Sequence, residues 1–138
     1  MRLRKNAKLE LLASVPLFSG CSRRELEQIA SIADETNVPE GRTIIEQNQP
    51  AHEFFALIDG TADVRRNGRK ISTMSGGDFF GELALIARTP RTATVTTSSP
   101  ARLLVIRGRD FERVLAEAPS IAVKILRELG GRLASESL

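Results

Sequence analysis

The sequence predicts an α+β domain, a β-roll or double-stranded β-helix jelly roll flanked by N-terminal and C-terminal helices. Three observations predict it. Near the start, Ser22 is followed three residues later by Glu25, the spacing of a capping box that opens a helix. From Thr36 to Arg107 the chain changes to short segments rich in Val, Ile, Phe and Thr, cut by glycines at 41, 60, 68, 76, 77 and 81. After "ARLLVIRG" helical periodicity returns and lasts to the end.

Taken in order, "NAKLELLASV" (6–15) predicts a short helix with Leu9 and Leu12 on one face, ended by Pro16. "CSRRELEQIASIAD" predicts a stronger one, with Leu26, Ile29, Ala30 and Ala33 on one stripe. Within the strand region, Asn67-Gly68 in "RRNGRK" marks a tight hairpin, because both turn positions need positive φ. Several short strands at this turn spacing suit a barrel or jelly roll. Phe111, Val114 and Leu115 then form one short stripe. Pro119 opens a last helix whose Ile121, Ile125, Leu129 and Leu133 recur every four residues. No repeat, low-complexity stretch or linker interrupts this order. We therefore expect one domain over 1–138: a helical opening at 1–34, the β-roll at 35–107 and C-terminal helices at 108–138.

Composition supports an ordinary packed domain. A chain of 138 residues buries about two-thirds of the surface its unfolded form exposes. Its only aromatic residues are six Phe, so the core rests on Leu, Ile, Val and Ala. The 20 Lys and Arg against 17 Asp and Glu leave a small excess of intermixed charge, weak support for a nucleic-acid partner. Two basic runs, "MRLRKNAK" and "RRNGRK", read as a solvated tail and a solvated hairpin in preference to a nucleic-acid or lipid contact. One Cys (Cys21) and one His (His52) exclude an internal disulfide and a His-rich metal site; no metal and no cofactor are expected. No apolar run approaches the ~18 residues of a membrane span, so a soluble, cytoplasmic protein is expected.

"FGELALIARTPRTATV" (80–95) carries the chemistry. Glu82 to Leu85 have helical character for about one turn before Pro90 breaks it. A helical turn leaves its first N–H groups unpaired, which suits an anion. Gly81 would let a ligand approach the backbone. Arg91, expected to begin a Thr-rich strand, offers a planar guanidinium suited to phosphate. Glu82, an acceptor only, makes sense beside a phosphate if it receives bonds from sugar hydroxyls. The plainer alternative is a Glu82–Arg91 ion pair that braces a loop.

This stretch resembles the phosphate-binding cassette of the cyclic nucleotide-binding domain family, and the similarity extends outward. "VPLFSGCSRRELEQIA" resembles the family's opening helices, "FFALIDGTADV" its central strands, and "RDFERVLAEAPSIAVKILRELGGRL" the helices after its roll. The resemblance implies a non-catalytic sensor that binds a cyclic purine mononucleotide, cAMP favoured over cGMP, and signals by moving its C-terminal helix. It implies that Glu82 accepts from the ribose 2′-hydroxyl and Arg91 pairs with the cyclic phosphate. The backbone N–H groups around Leu83 and Ala84, and that of Thr92, would help to hold that phosphate. Thr92 could instead bond a guanine amino group. The family caps the base from its last helix, where Leu133, Glu136 and Ser137 are the candidates here. The chain stops at "SESL", which leaves either a separate effector partner or a removed output domain; the C-terminal helix is also a candidate homodimer surface. Two rivals remain: a degenerate domain used for protein contacts, and a cupin-like jelly-roll enzyme, which a lone His52 serves poorly.

Overall fold

The computed structural model describes residues 4–87 and 89–136. It separates into two compact units, Ala33–Gly108 and the flanking Met1–Ile32 with Arg109–Leu138.

The first unit is all β apart from one short turn. Its strands are β1 (Ala33–Val38), β2 (Thr43–Ile45), β3 (Glu53–Asp59), β4 (Ala62–Arg66), β5 (Arg69–Met74), β6 (Phe79–Phe80), β7 (Thr94–Thr97) and β8 (Ala101–Arg107). They form two four-stranded antiparallel sheets, β1-β8-β3-β6 and β2-β7-β4-β5. Phe55 and Leu57 of β3 and Leu103 and Val105 of β8 make one buried cluster with Ala101. Ile45 of β2 and Met74 of β5 pack on it from the second sheet. The alternate residues Phe54, Leu104 and Ile106 are fully buried as well. With both faces covered, "EFFALID" and "ARLLVIR" show no clean alternation of apolar and polar residues.

The expected hairpin joins β4 to β5. Asn67 has φ 54° and Gly68 φ 78°, and Arg66 pairs directly with Arg69 across the turn. This is the geometry that asparagine-glycine tolerates and β-branched residues do not.

The helical unit comprises α1 (Lys5–Ala13), α2 (Arg23–Ala30), α3 (Gly108–Glu117), whose first residue still belongs to the β unit, and α4 (Pro119–Glu136), with a 3-10 turn at Pro16–Phe18. Leu9, Leu12, Phe18, Ile29, Phe111 and Ile121 are buried; each large apolar side chain removed from water contributes about 1.5–3 kcal/mol. The Phe18 and Phe111 rings lie 5.8 Å apart. At α2 the capping box is present in full: Glu25 N–H donates to Ser22 Oγ at 3.2 Å, and Ser22 N–H donates to Glu25 Oε1 at 2.8 Å. That carboxylate also accepts from Ser120 Oγ and Lys124 Nζ of α4.

One expectation is corrected. Ala33 is not on the α2 stripe: the helix ends at Ala30 and Ala33 starts β1, paired with Ile106. The apolar spacing of a short helix end and of a buried strand start is the same over so few residues. The last helix, α4, runs unbroken through Gly130-Gly131 to Glu136. An i,i+4 ion pair, Arg132 Nε to Glu128 Oε1 at 3.5 Å, spans the two glycines and offsets part of their cost to the helix.

Candidate functional site

A cavity of about 460 Å³ opens within the β unit. Val64, Met74, Phe79 and Val95 give it apolar walls, and Gly81, Glu82, Ala84, Arg91 and Thr92 stand along its polar side. Five of the six cassette residues singled out in the sequence therefore line one space. Leu83 contributes its backbone to the turn Glu82–Leu85, which is a single 3-10 turn.

Arg91 is held more firmly than a strand start requires. The strand itself begins later, at Thr94, which corrects the expected boundary. The residues before it pair instead with the loop after β2: Asn48 N–H donates to Arg91 O at 2.8 Å, and Arg91 N–H donates to Gln49 O at 2.9 Å. A bridge between Pro50 and Pro90 sits beside these bonds. Proline has no N–H to give, so the two bonds through Arg91 carry the register.

The side chain of Arg91 is only 8% exposed. Its Nη2 donates to the carbonyl of Glu53 at 2.7 Å, and its guanidinium carbon stands 5.8 Å from the centre of the Phe55 ring. Burial pulls the guanidinium below its ordinary pKa, and the nearby Glu53 carboxylate opposes this. A guanidinium has five N–H donors. Among the described residues the Glu53 carbonyl is its one hydrogen-bond acceptor. A buried cation with donors to spare favours an anionic ligand, because pairing recovers the cost of desolvation.

Gly81, which lines the cavity, also leaves room for Arg91. Its φ is 78°, and a Cβ there would run into Arg91 Nη1 and come within 2.9 Å of the Glu53 carbonyl. The space left by the missing side chain is taken by the arginine. The turn also commits one of the three expected amides: Ala84 N–H donates to Gly81 O at 3.0 Å. In a turn closed by that bond, the amides of Glu82 and Leu83 lie ahead of it.

Sequence reasoning missed Glu53 and Phe55 as the supports of Arg91, since nothing in "EFFALID" indicates which strand will lie beneath the cassette. It also missed Arg66, which lines the cavity although the run "RRNGRK" reads as solvated. The strand alternation placing Val64 and Arg66 on one face of β4 was the available signal. On the last helix, Leu133 is 67% exposed; Ser137 and the side chain of Glu136 lie outside the described residues. Among the described residues no group of three His, Cys, Asp or Glu is arranged to hold a metal, and no helix is long and apolar enough to cross a membrane.

The family described as "Cyclic nucleotide-binding domain" matches residues 35–118. The chain is 32% identical over 131 residues to a cAMP-dependent protein kinase regulatory subunit of Mycosarcoma maydis, covering 88% of this chain and 25% of that protein. It is 32% identical over 113 residues to a cyclic nucleotide-gated potassium channel of Mesorhizobium japonicum, covering 82% of this chain and 31% of that one. The chain thus spans a third or less of these relatives. Its fold matches the N-terminal domain of a transcriptional regulator from Streptomyces coelicolor A3(2), with TM-score 0.83 and 24% identity over 92% of this chain and 94% of that one.

Proposed function

The chain belongs to the cyclic nucleotide-binding domain family, and from that membership we propose that it binds a cyclic purine mononucleotide, cAMP in preference to cGMP, as a sensor module. The observation that carries the proposal is the buried guanidinium of Arg91 facing the cavity beside Glu82. Arg91 pairs with the cyclic phosphate through charge-assisted bonds. Glu82 accepts from the ribose 2′-hydroxyl, and the amides of Leu83 and Thr92 complete the phosphate cradle. The base lies along the apolar wall of Val64 and Met74. Adenine suits that wall, since it presents fewer edge groups than guanine that need a polar partner. Thr92 Oγ is the group by which guanine would compete. The name of the M. maydis relative supports the cAMP preference.

Signalling follows from movement of α4 on binding, passed to an effector protein or an attached output segment. Leu133, Glu136 and Ser137 are its base-facing candidates. Equilibrium dialysis against cAMP, cGMP and 5′-AMP tests the reading. Saturable binding of cAMP, weaker binding of cGMP and little of 5′-AMP are expected. Failure of both cyclic nucleotides to bind would leave the degenerate, protein-contact reading in its place.

A further inference from the structure

Arg66 lies at the end of β4 on the same strand face as Val64, and both line the cavity that holds Arg91. Its neighbours in the basic run are differently engaged: Arg65 and Lys70 both pair with the carboxylate of Asp63, at 3.7 and 3.3 Å. Arg66 pairs with no carboxylate among the described residues. Its Nε donates instead to the backbone carbonyl of Thr92 at 3.0 Å, the residue next to Arg91. That bond uses one N–H and leaves the two terminal nitrogens of the guanidinium.

The hairpin tip that carries Arg66 is itself tied down. Gln47 Nε2 donates to Asn67 Oδ1, and Asn67 N–H donates to Gln47 Oε1, each at 2.8 Å. Gln47 N–H donates to Thr94 Oγ1 at 2.9 Å. The next two residues, Asn48 and Gln49, hold Arg91 by its backbone. One short loop thus fixes both arginines. Charge agrees with this arrangement. Among the described residues lining the cavity, two guanidinium cations and the carboxylate of Glu82 leave one net positive charge, which complements the single negative charge of a cyclic phosphodiester.

We propose that Arg66 is a second anion-recognition residue of this site, so that the ligand's phosphate is approached by Arg91 from the buried side and by Arg66 from the solvent side. The inference rests on the nucleotide-binding reading above. Arg66 is exposed, so its contribution is smaller than that of Arg91 and is screened by salt.

The test compares wild type, Arg66→Gln and Arg66→Lys by cAMP titration at low ionic strength and again in ~1 M salt, where the Debye length falls to about 3 Å. Arg66→Gln is expected to weaken binding about fivefold at low salt, with the ratio to wild type falling toward one in high salt. Arg66→Lys keeps the charge and is expected to keep most of the affinity. If wild type binds and Arg66→Gln matches it at low salt, the inference fails while the nucleotide site stands. If both variants lose affinity equally and salt does not change the ratio, Arg66 merely braces the Thr92 carbonyl, and the inference fails again. If wild type binds neither cAMP nor cGMP, the underlying reading falls and takes the inference with it.

Discussion

Arg91 occupies the space that a side chain at Gly81 would need: a Cβ on Gly81 would meet Nη1 of that arginine and the Glu53 carbonyl to which the same guanidinium donates. The glycine and the arginine are ten positions apart, yet a side chain at the first would displace the guanidinium of the second.

Gly81→Ala is therefore expected to damage both stability and binding. A left-handed conformation at a non-glycine residue costs ~1–2 kcal/mol, and the clash adds displacement of Arg91. Urea denaturation should show a lowered midpoint, and cAMP titration a loss approaching that of Arg91→Ala. Unchanged affinity would mean that the arginine does not need its present position.

Arg91→Ala should weaken nucleotide binding about tenfold to 150-fold, the loss of a charge-assisted contact worth ~1.5–3 kcal/mol. Glu82→Gln should cost less, since an amide oxygen still accepts one hydroxyl bond. Isothermal titration of both variants checks the order. A larger loss at Glu82 would reverse the two assignments.

Glu25 predicts an acid sensitivity. The Lys124 ammonium, then the Ser120 hydroxyl and the Ser22 amide, hold its carboxyl at about 2, down from an ordinary 4.5. A depressed folded-state pKa contributes stability that is complete above the unfolded value and is lost as pH falls from about 4.5 toward 2. The contribution is roughly 2 kcal/mol once solvent screening of the part-exposed Lys124 is allowed for. The wild-type advantage over Glu25→Gln in urea midpoint should shrink across that window. An advantage that stays constant from pH 6 to pH 3 would exclude the linkage.

Hydrogen exchange addresses α4. The Glu128–Arg132 pair bridges Gly130-Gly131, while the two glycines weaken the helix locally. If α4 closes on binding, amides at 126–136 should gain protection with saturating cAMP, as bound ligand favours the closed state. Protection confined to 82–92 would restrict the response to the cassette.

Residues whose role is local were legible in the sequence. Ser22 with Glu25 specifies a capped helix start and Asn67-Gly68 a positive-φ turn, because each depends on neighbours within a few positions, and the run from Phe80 to Val95 stands out as one motif whose Gly81, Glu82 and Arg91 line a single cavity. What the tertiary structure decided depends on distant pairing. The start of β1 at Ala33 is set by its register with Ile106. The position of Arg91 is set by Asn48, Gln49 and Glu53, about forty residues earlier. The sequence marks Gly81 as a place where something approaches the backbone. Only the packing of two sheets makes that something Arg91, and only the alternation of β4 turns Arg66 from a solvated hairpin residue toward the cavity.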